Sequence, residues 1–251
     1  MTKQSLHFNF IKIYKLKIHL TILFTLMSIM TILGQTTYKE WEKEAKNNVR
    51  LLPKYGDIQK TNEQILTDKQ FVEETLKIEK YKGNKRAASD DMIKLGFQYL
   101  YKGDLKTAMY RFNQAFLLDS ENTDIYWGFG AVYVSLSQSE KAKEQYEQGL
   151  KLKPDNSHLL TDYATYFLVK YYEAKKLNHH NANEYLDKAI DKLTMSYTID
   201  KKDSNTLYKL SVCHLMNSDC EDAIKFYNLC KEEGGKPIDE RYTQELNRIC
   251  N

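Results

Sequence analysis

A chain of 251 residues that is 42% hydrophobic and 28% charged can bury a substantial core and is too apolar to remain disordered. Only ten glycines and three prolines interrupt it, so helices can run with few breaks, and the composition favours an all-α chain over a sandwich of short strands. The formal charge of +3 depends on Lys3, Lys12, Lys15 and Lys17 in an acid-free leader; subtracting these four leaves −1. Elsewhere Lys and Glu are interspersed, with no basic stripe to displace counterions from phosphates, so no nucleic-acid partner is expected.

The leader is the first element. Residues 1–17 hold its lysines, and Ile18 to Leu33 is apolar except for His19, Thr21, Thr25, Ser28 and Thr31, followed by polar Gln35, Thr36 and Thr37. This is the order of an export signal. The run is shorter than the roughly 18–20 residues a spanning helix needs, so residues 1–34 are read as a signal peptide and the chain as periplasmic or secreted. Gly34 suits a cleavage site while Ile32 does not, which keeps an uncleaved membrane anchor as the alternative. No cysteine follows the apolar run, so a lipid tether has no attachment point.

Residues 35–88 form an N-terminal helical region. Tyr38, Trp41, Ala45, Val49 and Leu52 recur every three or four residues and stop before Pro53, predicting a helix over 37–52. Thr67 and Gln70 have capping-box spacing for a second helix, with Ile65, Val72 and Leu76 along one face. These helices either cap the array that follows or cross its inner face. Capping is expected, because an uncovered first repeat would leave apolar area in water.

The array announces itself by self-similarity. Met92-x2-Leu95-Gly96-x2-Tyr99, then Ala108-x3-Phe112 and Ala115, recurs 34 residues later as Tyr126-x2-Phe129-Gly130-x2-Tyr133, then Ala142-x3-Tyr146 and Gly149. A third copy starts at Leu160-x2-Tyr163-Ala164-x2-Phe167, and its second half, Ala189-x3-Leu193 and Ser196, arrives 13 residues late, placing an insertion between its two helices. A fourth follows as Leu207-x2-Leu210-Ser211-x2-His214, then Ala223-x3-Tyr227 and Cys230, ending at Gly234-Gly235-Lys236-Pro237. Small residues fall where paired helices cross closely, and large ones fill the layer between them.

This pattern resembles the tetratricopeptide repeat. The resemblance implies an all-α, right-handed α-solenoid of about four helix hairpins at 89–122, 123–156, 157–203 and 204–237, with a capping helix in 238–251. In that family the inner faces of the first helices line a groove for a peptide or partner helix. Carried over, the groove positions are Ile93, Phe97 and Tyr101; Asp124, Trp127 and Val134; Thr161 and Thr165; and Tyr208 and Met216, with Trp127 as anchor. The family's carboxylate clamp is absent, since its places hold Ile93, Phe97, Gly128, His158 and Asp162. The implied function is a scaffold that binds another protein. A structural subunit of an envelope assembly, or a self-associating array, is the alternative.

No nucleophile elbow, zinc-protease helix or phosphate-cradling loop occurs, so no catalytic residue, metal, cofactor or small-molecule substrate is assigned. His179 and His180 are read as an exposed loop, and His214 as a core histidine. The four cysteines allow three pairings. Antiparallel neighbouring helices would bring Cys220, near the start of one, to Cys250, at the end of the next, making them the candidate disulfide.

Overall fold

The computed structural model describes residues 37–250, and the expected signal peptide lies outside the described residues. Eleven α-helices, and no strand, make up these residues: α1 Tyr38–Ala45, α2 Asn62–Lys77, α3 Lys85–Tyr101, α4 Leu105–Leu118, α5 Asp124–Ser135, α6 Ser139–Leu152, α7 Ser157–Lys176, α8 Ala182–Ile199, α9 Ser204–Met216, α10 Cys220–Glu232 and α11 Glu240–Cys250. From α3 to α10 they stack as four successive hairpins of an α-solenoid. None of them is long and apolar enough to cross a membrane.

Glycine and aromatic rings set the spacing of the first two hairpins. A Cβ on Gly96 would lie 2.4 Å from the Phe112 ring, and one on Gly128 would also lie 2.4 Å from it, so a single ring of α4 is pressed between first helices of successive hairpins. Gly130 repeats the arrangement one period on, where a Cβ would meet Tyr146 at 2.1 Å. In the third hairpin the same two positions hold Ala164 and Leu193, both wholly buried. The smaller side chain on α8 leaves room for the methyl group.

The 13-residue insertion adds helical turns on both sides of the short loop that holds His179 and His180. α7 and α8 have 20 and 18 residues against 12 and 14 for α5 and α6, and only 177–181 separates them. The added turns carry their own apolar contact, because Tyr171, Ala174, Ala182 and Leu186 are buried. His179 and His180 are exposed at the tip, as read from the sequence.

The N-terminal region caps the array and leaves its inner face free. α1 opens with a capping box between Thr37 and Glu40, but it stops at Ala45, and two 3-10 turns, Val49–Leu51 and Pro53–Asp57, replace the rest of the helix expected over 37–52. The reason is tertiary. Asn113 of α4, fully buried, donates its side-chain amide to the carbonyls of Arg50 and Leu52, each at 2.9 Å, and a continuous helix would direct those carbonyls along its own axis. Glu44 pairs with Lys106, the Asn48 amide donates to Tyr110, and Trp41 and Leu51 join the apolar cluster of Leu105 and Met109.

α2 begins at a capping box between Thr61 and Gln64, six residues before the expected Thr67–Gln70 pair. Thr67 lies inside the helix and donates to the Glu63 carbonyl. Both pairs have the required spacing, and the earlier one wins because a longer helix adds one hydrogen bond per residue once nucleated. Phe71, Val72 and Leu76 then pack with Tyr81, Ala88 and Leu118 to close the end of the first hairpin.

At the other end Leu246 of α11 is buried with Ala223 and Tyr227, the Tyr242 hydroxyl reaches Ser211 at 2.5 Å, and Cys220 is bonded to Cys250. Cys213 and Cys230 are buried free thiols.

Gly130→Ala gains about 1 kcal/mol of helix propensity but overpacks against Tyr146, a cost of roughly 1–3 kcal/mol. A net loss of stability is expected in urea unfolding. Adding Tyr146→Leu, the pairing the third hairpin uses, should recover part of that loss.

Candidate partner-binding groove

The first helices α3, α5, α7 and α9 present a groove whose centre is a stack of rings. The Trp127 indole lies with its centroid 4.0 Å from Phe97 on one side and 4.5 Å from the His158 imidazole on the other, the latter nearly parallel at 17°. Helical spacing places these rings together, because Phe97, Trp127 and His158 come from the same face of three successive first helices. The indole Nε1 donates to Asp162 Oδ2 at 2.7 Å, and the Lys209 ammonium reaches the other oxygen of that carboxylate at 3.0 Å and the Thr161 carbonyl at 3.3 Å. An aromatic wall thus ends in a neutralised ion pair.

Between these walls is a cavity of about 370 Å³ with Ala131, Tyr146 and Thr165 among its lining residues and Tyr101 and Val134 exposed at its edge. An adjoining hollow of about 310 Å³ shares Val134, Tyr146 and Thr165 with it and runs on past Tyr166 and Val169. The two form one trough, and no N-terminal element lines either. A larger cleft of about 560 Å³ lies apart, between 47–50, α2 and α4. Its Lys60 and Asp68 are paired with each other, and it holds none of the groove residues.

His158 and Asp124 sit one 34-residue period apart and are 3.3 Å apart, Nδ1 to Oδ1. The hydrogen bond to Asp124, opposed by burial, holds the imidazole above its ordinary value. Burial by itself would raise the Asp124 carboxyl, but the hydrogen bonds from His158 and Asn156 outweigh it and hold that group low.

Neither a family model nor a curated protein matches the chain. Solved structures do. A thermophilic TPR protein of Thermus thermophilus superimposes with a TM-score of 0.53 at 12% identity, over 64% of this chain and 80% of that one. PilF of Pseudomonas aeruginosa gives 0.51 at 18% identity, over 66% and 68%. The chain has the tetratricopeptide-repeat fold.

Within the tetratricopeptide array, the ten residues singled out from sequence fall into three groups. Phe97, Tyr101, Trp127, Val134, Thr161 and Thr165 line the cavity. Ile93 is buried in the hairpin core, and Asp124 lies just outside the cavity, accepting from Asn156 and His158. Tyr208 and Met216 lie farther along: Tyr208 packs edge-on against Tyr242 of α11, and Met216 accepts from the Tyr172 hydroxyl. Thr161 is mostly interior, its hydroxyl bonded to Ser196 and Thr206 at 2.8 and 2.6 Å. His214, read as a core residue, is partly buried, stacks on Phe226 and meets Asp219 at 3.0 Å.

Sequence spacing missed Lys209, and it treated His158 and Asp162 only as places where a clamp is lacking. The one available signal was their position on the groove face of the third and fourth first helices.

Asp162→Ala removes the acceptor of the indole N–H and the counter-ion of Lys209, and a loss of about 1–3 kcal/mol is expected. Asp162→Asn keeps an acceptor for the indole and should lose less, as read from chemical unfolding of the three proteins.

Proposed function

We propose that this protein is a binding scaffold that holds an apolar or amphipathic segment of another protein in the trough formed by α3, α5, α7 and α9, and that it works by capture and not by catalysis. The observation that carries this reading is the open trough itself: about 370 Å³ lined by Phe97, Trp127, Tyr101 and Val134, with the chain's own N-terminal helices engaged elsewhere. An exposed tyrosine and valine beside a half-buried tryptophan are the residue types that anchor partner side chains. The array also supplies the rigid, stacked first helices on which such a trough depends.

A location in the envelope or outside the cell is part of the proposal. It is supported by the basic-then-apolar order of residues 1–34 and by the bond between Cys220 and Cys250, which persists in an oxidising compartment. A second reading, self-association, is favoured by the exposed apolar side chains Ile65 and Leu66 of α2 and Ile58 just before it. Light scattering distinguishes it, since a monomer at working concentration removes self-association.

Affinity capture from the exporting cell should recover a partner with the wild-type chain and much less with Trp127→Ala. Trp127 is half-buried, so the variant should remain folded by circular dichroism; equal recovery of the same partner by both proteins would overturn the groove reading. For the compartment, the mature protein should begin at or near Gln35 and yield a Cys220–Cys250 linked peptide under non-reducing digestion, whereas an intact leader in the membrane fraction would mark an anchor.

A further inference from the structure

Trp127 is the ring best placed to anchor a partner, yet neither of its faces is open. Phe97 covers one, and His158 the other. The two covers differ in kind. Phe97 is buried among the residues of α3 and α4 and stacks edge-on with Phe112 at 5.2 Å. His158, in the first turn of α7, has about half of its side chain in solvent and is held by the indole face and the Asp124 carboxylate.

Both contacts depend on charge. An imidazolium forms an ion pair with the carboxylate and a cation–π contact with the indole, and a neutral imidazole forms neither at comparable strength. We propose that His158 is a protonation-controlled cover on Trp127: the imidazolium stays pinned between the indole and Asp124, and the neutral ring is released, opening that face of Trp127 to a partner side chain. The inference deepens the groove reading and rests on it for its consequence, which is capture that strengthens as the medium turns from acid to neutral or alkaline.

The groups around His158 act in one direction. Asp124 of α5 touches it, Asp162 lies one turn along α7, and Asp203 approaches from the segment before α9; each favours the cation. The positive groups of this region act on other partners: Lys209 is bound to Asp162, Arg86 pairs with Asp119 and acts on Asp124, and Lys153 acts on Asp124. With the His158 value raised, its stabilising contact is complete below the ordinary imidazole value of about 6.5 and is lost as pH rises through the folded value. Asp124, held low, stays ionised throughout that range, so the switch belongs to His158.

Collisional quenching by acrylamide reads the cover directly. The chain has two tryptophans, and Trp41 is only 1% exposed, so the quenchable emission comes from Trp127. The quenching constant should step upward with pH, with a midpoint above about 6.5. His158→Gln should quench readily at every pH, without a step. A constant independent of pH in the wild type, a midpoint at or below about 6.5, or a step that survives in His158→Gln would overturn the proposal. Should His158→Gln fail to fold, the proton-NMR titration of the imidazole that contacts the indole decides by the same midpoint. The titration uses no partner, so its failure leaves groove capture standing, and a failed capture leaves the titration intact.

Discussion

One ring held between two glycines sets the frame of the molecule. Phe112 belongs to the second helix of the first hairpin, yet it fills the space that a Cβ would need at both Gly96 and Gly128, so the hairpin and its neighbour are locked through the same side chain. Close packing of this kind tolerates little change, because an interior at crystal-like density has no void to receive a methyl group. Tyr146 makes the same close approach to Gly130 within the second hairpin. The approach of α3 to α5 follows from the shared ring, and the trough opens beside it.

The interior changes character along the array. The apolar cluster of the first two hairpins extends to Leu159 and Tyr163, and a second begins at Ala164. Near that boundary the hydroxyl oxygens of Thr161, Ser196 and Thr206 lie within 3.1 Å of one another; Ser196 donates to the Ser157 carbonyl and Thr206 to Asp203, which leaves Thr161 as the donor within the trio. A satisfied polar knot adds little net stability but fixes register, since any slip would leave buried hydroxyls unpaired. It lies just beneath the cavity floor and next to the Asp162–Lys209 pair, where precise placement of the trough wall matters most. The longer α7 and α8 then carry the wall beyond the length of an ordinary repeat.

The two ends are covered by unlike means. At the N-terminal end the cover is hydrogen-bonded and apolar, through Asn113 and the cluster around Tyr81 and Leu118. At the C-terminal end α11 adds a covalent bond to its buried Leu246. Each cover lies on hairpin faces that would otherwise be wet, and neither reaches the first-helix trough.

The sequence by itself determined the repeat. Identical 34-residue offsets of Gly96 with Gly130 and Ala108 with Ala142 reflect local packing that each hairpin repeats, and such packing is written in residue size and spacing. The resemblance to the tetratricopeptide repeat supplied the groove positions, and six of those carried over line the cavity. Tertiary structure alone decided where α1 ends, since the breaking contact comes from Asn113, more than sixty positions away in the chain. It also decided that Ile93 points inward, that the insertion lengthens two helices, and that His158 lies on Trp127 while Lys209 pairs with Asp162. Those outcomes depend on how helices cross and which rotamers meet between them, and neither is encoded in the spacing of residues along one helix.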